Sequence, residues 1–360
     1  MRADVTPITG LPGTGRLEGL DLARYLALVG MVFVNFRLAM HPATAAPSWL
    51  RHVFDFLEGK AAATFVVLAG IGLTLATRGL DRAGAWTVRR AGFLLAVGLV
   101  NLAIFPADII HYYGAYFLLA VPLLRARRRT LALAFAAIAA ISAWAIVRLD
   151  YGRGWDWATL DYPDFWTPAG FVRNLLFNGF HPVLPWMALF VGGMLLGRLP
   201  LHQPAVQRRL CWTGLAGFLL GHACAAATRG GPWEALCGTM PMPPGPVYLL
   251  TGIGGATVVI GLCLTAGRRW PGGRWTVFTP AGRMTLTLYL AHIVVGMGCL
   301  EALGALDGRR TLPEVAGAAG IFLAAGTLCA WLWSRRWRHG PIEALMRGVT
   351  ARPARRVTVS

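Results

Sequence analysis

The stretch "FDFLEGKAAATFVVLAGIG", residues 54–72, decides how the chain is read. From Ala61 onward it is an unbroken run of small and apolar residues, and Glu58, Gly59 and Lys60 stand at its mouth. Lys60 is the only lysine in the chain; the other 33 basic residues are arginine. A charged Glu-Gly-Lys followed by such a run reads as a helix entering a membrane. The charges stay near the surface, and the helix satisfies its own backbone groups where no water can.

The pattern repeats outward from that stretch. Of 360 residues, 56% are hydrophobic and 14% charged, against about 25% charged in a soluble domain; the mean hydropathy is +0.55. Apolar blocks of membrane-crossing length fall at about 20–40, 61–78, 89–105, 110–124, 130–148, 182–199, 209–227, 246–267, 283–300 and 313–334. The expectation is an all-α, polytopic bundle of about ten spans, one integral membrane domain over 1–360 with the lipid bilayer as its first partner. The first block is too long for a signal peptide and has no small-residue cleavage site, so it counts as a span.

The charge, +18 with a pI near 11, suggests nucleic acid in a soluble chain but membrane orientation here. The segments 1–19, 78–90, 125–129, 198–209, 268–283 and 335–360 hold 24 of the 34 Lys/Arg, and the alternate segments hold nine. Arginine-rich loops stay in the cytoplasm, which predicts cytoplasmic tails at 1–19 and 335–360 and an opposite, outer face. Eleven of the 16 acids lie on that outer side, with His41, His52, His111 and His181 at or near it. The longest outer loop, 150–181, carries four acids, three tryptophans and two tyrosines. It reads either as an interfacial aromatic belt or as a docking surface whose rings stack on a sugar. Its Pro163 and Pro168, with Pro182 just beyond, argue against one long helix.

Polar groups inside apolar blocks are site hypotheses by default. Asp21 and Arg24 are spaced to pair on one helical face. Asn35 lies deeper in the same block, and His292 follows Tyr289 by three; each also reads as helix–helix glue. Gly192, Gly193 and Gly197 would permit close helix packing. The six cysteines form no CxxC pair, so neither a disulfide framework nor a metal site is predicted. GxSxG, HExxH and P-loop motifs are absent.

Several stretches together resemble the YeiB-like family of bacterial inner-membrane proteins, which is grouped with transmembrane acyltransferases including heparan-alpha-glucosaminide N-acetyltransferase. They are "LDLARYLALVGMVFVNF", "FLEGKAAATFVVLAGIGLTL", "RRAGFLLAVGLVNLAIFPADIIHYYGAYFLL", "HPVLPWMALFVGGMLLGR", "AGRMTLTLYLAH" and "RRWRHGPIEALMR", in that order along the chain. The resemblance implies a multi-pass protein of the bacterial plasma (inner) membrane. It implies transfer of an acyl group, acetyl first, from cytosolic acyl-CoA to a carbohydrate, glycolipid or secreted small molecule at the outer face, with acyl-CoA as co-substrate and neither metal nor nucleic acid. Glu58, Asp108 and one outer histidine would form the acid–base site, with His41, His52, His111 and His181 as candidates by their location on the outer side. Arg24, Asn35, Lys60, Arg283 and His292 would hold or pass the co-substrate, with Arg78, Arg89, Arg90 and Arg338 as further phosphate contacts. A Glu58–Lys60 pair would fix a charged group.

Three departures stand out. The family's Arg-Gly is Arg24-Tyr25, the histidine that human-type relatives place three residues before the tryptophan of Ser48-Trp49 is Ala46, and Val100-Asn101 stands where related chains carry a histidine. The rival readings are a proton-coupled transporter using Asp21–Arg24, Asp108 and His292 as a relay, and an assembly partner that binds through 150–181. Oligomeric state is not legible.

Overall fold

A computed structural model describes residues 17–42, 47–273 and 275–350. Residues 1–16 and 351–360 of the two expected cytoplasmic tails, and Ala46, lie outside them. The chain is helical as expected: α1 Glu18–Met40, α2 Ser48–Leu57, α3 Lys60–Thr77, α4 Ala83–Leu102, α5 Ile110–Ala120, α6 Arg128–Arg148, α7 Pro168–Arg173, α8 Val183–Leu196, α9 Pro204–Ala227, α10 Glu234–Cys237, α11 Pro246–Arg269, α12 Phe278–Arg283, α13 Thr285–Ala291, α14 Gly298–Ala302, α15 Leu312–Ser334 and α16 Pro341–Val349. Among the described residues, extended pairing is confined to an isolated bridge between Asp156 and Asp161.

Eight helical stretches are long and apolar enough to cross a membrane; a ninth appears if α7 and α8, bent by 46°, form one broken span. Each of the ten expected blocks coincides with a helix, but two are short. The fourth, Ile110–Leu123, ends in a 3-10 turn at Pro122, which has no N–H to continue the ladder. The sixth, α8, has 14 residues, Val183–Leu196, between Pro182 and Gly197; at 1.5 Å per residue it spans only about 21 Å.

Burial explains why a short α8 is tolerated. Nearly every residue of Val183–Met194 is buried, so α8 is an inner rod wrapped by longer helices rather than a lipid-facing span. The α3–α8 crossing is tight: a Cβ on Gly193 would lie 2.1 Å from the Val67 carbonyl, the close approach expected of the 192–197 glycines. Helices α6 and α9 lie outermost, with three and four buried residues respectively. Their apolar side chains, such as Leu133, Trp144 and Leu219, are exposed as lipid contact requires.

Two local devices position the functional region. The second expected span is α3, and α2 leads into it: α2 stops at Glu58, and Gly59, at φ +71°, turns the chain into α3. A side chain there would be strained, and its Cβ would meet Pro241 at 2.8 Å. Helix α15 starts on a reciprocal cap, the Glu314 carboxylate accepting from the Thr311 N–H at 2.7 Å.

Candidate functional site

Two cavities lie at opposite ends of α1 and α3. The larger, about 630 Å³, is lined by Asn35, Arg37 and His41 from the end of α1, Glu58 and Ala61 at the α2–α3 break, Ala107, Trp157 and His181, among others. The smaller, about 330 Å³, is lined by Arg24 of α1, Arg90 of α4, Arg283, Tyr289, and His339, Glu343 and Arg347 of the C-terminal segment. Met31 lines both. They are called the Glu58 cavity and the Arg283 cavity below.

The Glu58 cavity gathers opposite charges. Arg37 lies 2.7 Å from Asp55 and 3.7 Å from Glu58, and all three side chains are partly exposed. His181 enters with its ring edge-on to Trp186, centroids 4.7 Å apart, and its Nδ1 has no hydrogen-bond partner. Its backbone is held by the Tyr116 hydroxyl, which donates to the His181 carbonyl at 2.5 Å. From the long loop, Trp157 lines the cavity while stacked on Trp155 at 5.1 Å and 20°.

That loop is a folded wall. Asn178 donates to the carbonyls of Tyr151 and Arg153 and accepts from the Tyr162 hydroxyl at 2.8 Å. The Trp155 indole donates to the Asn178 carbonyl at 2.6 Å. Arg173 bonds both Asp164 and Tyr162. Burial raises the Tyr151 and Tyr162 hydroxyls above the ordinary phenol range; they act as neutral hydrogen-bonding struts.

Between the cavities lies a buried polar knot. Asp108 is fully buried, flanked by Ala107 on the Glu58 cavity and Ile109 on the Arg283 cavity. Its Oδ1 accepts from the Asn101 amide at 2.7 Å, and its Oδ2 accepts from both the main-chain N–H and the ring Nδ1 of His111, each at 2.9 Å. Because a carboxylate oxygen accepts, Nδ1 carries the proton. The other ring nitrogen, Nε2, has no hydrogen-bond partner. The His111 ring lies against Tyr112, centroids 3.9 Å apart and tilted by 39°, and Tyr112 in turn meets His181 at 5.9 Å, so His111 lies behind the cavity histidine. A parallel chain runs from Asn35, whose amide donates to His292 Nε2 at 2.9 Å, through the His292 Nδ1 bond to the Tyr289 carbonyl. The Tyr289 hydroxyl then accepts from the Ile109 N–H at 3.2 Å.

The expected site residues divide accordingly. Glu58, His41 and His181 share one cavity. Arg24, Arg90 and Arg283 share the other, and Arg24 makes its ion pair with the buried Asp21 at 2.7 Å. Asn35 lines the Glu58 cavity and is tied to His292.

Other expectations are corrected. Asp108 lines neither cavity, because Asn101 and His111 occupy its oxygens. His52 is exposed on α2, its Nδ1 bonded to the Ser48 carbonyl at 2.7 Å, and it does not line the Glu58 cavity, although its neighbour Arg51 does. The Glu58–Lys60 pair does not form. The left-handed turn at Gly59 separates the two, so Glu58 faces Arg37 while Lys60 donates to the Thr239 carbonyl at 2.6 Å and lies 5.0 Å over the Tyr248 ring. Arg89 and Arg338 are exposed and line neither cavity. The residues that sequence reasoning undervalued are His111, Arg37 and Arg347.

Residues 16–229 match the family model described as heparan-alpha-glucosaminide N-acetyltransferase, catalytic, and residues 195–353 match one described as a protein of unknown function (DUF418). Both agree with the resemblance read from the motifs. A curated relative, an uncharacterized transporter of Corynebacterium glutamicum, is 33% identical over 125 residues, 33% of this chain and 24% of that protein. The match thus spans about a quarter of that relative's length.

Proposed function

The chain belongs to the heparan-alpha-glucosaminide N-acetyltransferase catalytic family, and on that premise we propose that it moves an acyl group, acetyl first, from a coenzyme A thioester in the Arg283 cavity to a sugar or similar hydroxyl or amine acceptor in the Glu58 cavity. The carrying observation is that two chemically different cavities share Met31 and are lined, one each, by Ala107 and Ile109, the two neighbours of the buried Asp108 that holds His111. Guanidiniums match phosphates in charge and geometry, so Arg24, Arg90, Arg283 and Arg347 suit the co-substrate. Trp157 and Glu58 suit a polar acceptor with a ring face. The setting is the plasma (inner) membrane of a bacterium, with the Arg283 cavity toward the cytoplasm.

In this reading His181 takes the acceptor's proton as its oxygen or nitrogen attacks the thioester carbonyl carbon. The new C–O or C–N bond forms, the C–S bond breaks, and the departing thiolate regains the proton from His181. His111, held by Asp108, is a positioning residue behind Tyr112 and His181. The test is release of free thiol from acetyl-CoA by purified protein with monosaccharide and amino-sugar acceptors. General acid–base groups contribute about 10²–10⁴-fold, so His181→Gln should cut the rate at least about 100-fold while acetyl-CoA still raises the melting temperature. Full activity in His181→Gln would sink the assignment.

A second reading, a transporter, is favoured by the name of the Corynebacterium relative and by cavities at both ends of α1. It requires substrate movement across a liposome membrane without consumption of acyl-CoA.

A further inference from the structure

A third cavity, about 410 Å³, opens where α3 ends and α4 begins, lined by Thr74, Arg78, Asp81, Leu124, Arg125 and Arg198, among others. No residue lines both it and the Arg283 cavity. Three arginines face one carboxylate, Asp81, and Arg128 adjoins, its Nη2 donating to the Arg198 carbonyl at 2.9 Å. Main-chain carbonyls hold these guanidiniums in place. Arg78 donates to Gly197 at 3.1 Å, Arg125 to Asp81 at 3.1 Å, and Arg198 to Ala126 and Leu124. Carbonyls fix a guanidinium without neutralising it, and among the described residues none of the four forms an ion pair with a carboxylate. Burial first, then the charges of Arg128 and Arg78, lower the affinity of Arg198 for its own proton. The cluster is short of an anion.

Depth identifies the anion's source. The end of α3 at Thr77, the start of α4 at Ala83, the 3-10 turn Val121–Leu123, the start of α6 at Arg128 and the end of α8 at Leu196 all meet here. Where several spans end together is head-group level. Beside it α6 turns apolar, and Leu133, five residues past Arg128, is 71% exposed. A soluble phosphate needs no such neighbour; an acyl chain does. We propose that this cavity binds the phosphate of an anionic phospholipid, with the lipid tails along α6. Basic pockets between spans are known to hold such head groups. The inference is independent of acyl transfer.

The test is native mass spectrometry of the full chain released from micelles doped with phosphatidylglycerol or phosphatidylcholine. Retention of phosphatidylglycerol over phosphatidylcholine is expected, weakened about fivefold for each arginine removed. Arg78→Gln and Arg125→Gln leave Arg198 and its carbonyl bonds in place, so they read out binding even if Arg198→Gln does not fold; melting curves in lipid-free detergent check that they are folded. Equal retention of the two lipids, or wild-type retention in folded Arg78→Gln and Arg125→Gln, would overturn the proposal. So would displacement of the lipid by millimolar inorganic phosphate or CoA, which would assign the site to a soluble phosphate.

Discussion

The Glu58 and Arg283 cavities share two helices and one methionine, yet they are built differently. The Glu58 cavity takes its walls largely from loops and helix breaks: Gly59, Ala107, Trp157, His181 and Pro241 all stand outside or at the ends of long spans. The Arg283 cavity takes its walls from helix sides, where Arg90 lies 5.3 Å from the Trp86 ring and 5.8 Å from Phe117. A cavity of loops can change its lining without moving the bundle; a cavity of helix sides is fixed by the packing that holds the fold. In the proposed reaction that difference suits a variable acceptor on one side and an invariant co-substrate on the other.

The sharpest break of this comparison falls between the cavities. Asp108→Ala strips three hydrogen bonds from Asn101 and His111 in a fully buried place. Breaking a buried pair costs about 3–5 kcal/mol, so a large fall in melting temperature is expected; a melting curve like the wild type's would show that the knot does not couple the two halves. Next come paired substitutions. Arg283→Gln should weaken acetyl-CoA binding roughly tenfold, the order of one charge-assisted hydrogen bond, and leave the acceptor KM unchanged, while Glu58→Gln should do the reverse. Titration of each variant with both ligands checks this, and a crossed result would dissolve the division of labour. The smallest effect concerns the loop wall. Trp157→Ala should raise the KM of a ring-shaped acceptor about threefold, as expected for a lost aromatic contact, with no change for a linear amine of similar charge. Equal changes for both would mean that Trp157 packs the loop and does not select the acceptor.

Helix positions were legible because apolar run length depends only on local sequence, and all ten blocks are helical. The blocks 110–124 and 182–199 were read as full spans; Pro122, Pro182 and Gly197 bound the shorter helices that form, and whether a short helix suffices depends on how completely others bury it. In the site, the i,i+3 pair Asp21–Arg24 was readable from spacing. The same spacing in Asp108-Ile109-Ile110-His111 marks a second pair, this one buried on both sides, but Asn101, seven residues earlier, joins only through the α4–α5 turn. Glu58 and Lys60, two apart, were misread as partners because one left-handed glycine redirected the chain. The placement of Arg347 in the Arg283 cavity comes from α16 folding back, where the Glu343 carboxylate accepts from the Leu286 N–H at 2.8 Å. Nothing local in the sequence announces that return.

Met31 has one further consequence. A bacterial plasma membrane stores energy as a proton gradient, and an aqueous bore through any embedded protein would discharge it. Here two hollows approach from opposite ends of α1, and an almost fully buried thioether stands in the wall between them. Methionine is unbranched and adapts its shape at small cost. In the proposed reaction a side chain of that kind would yield to a reactive group held on both sides and close behind it, leaving the bundle an electrical insulator while its two ends communicate.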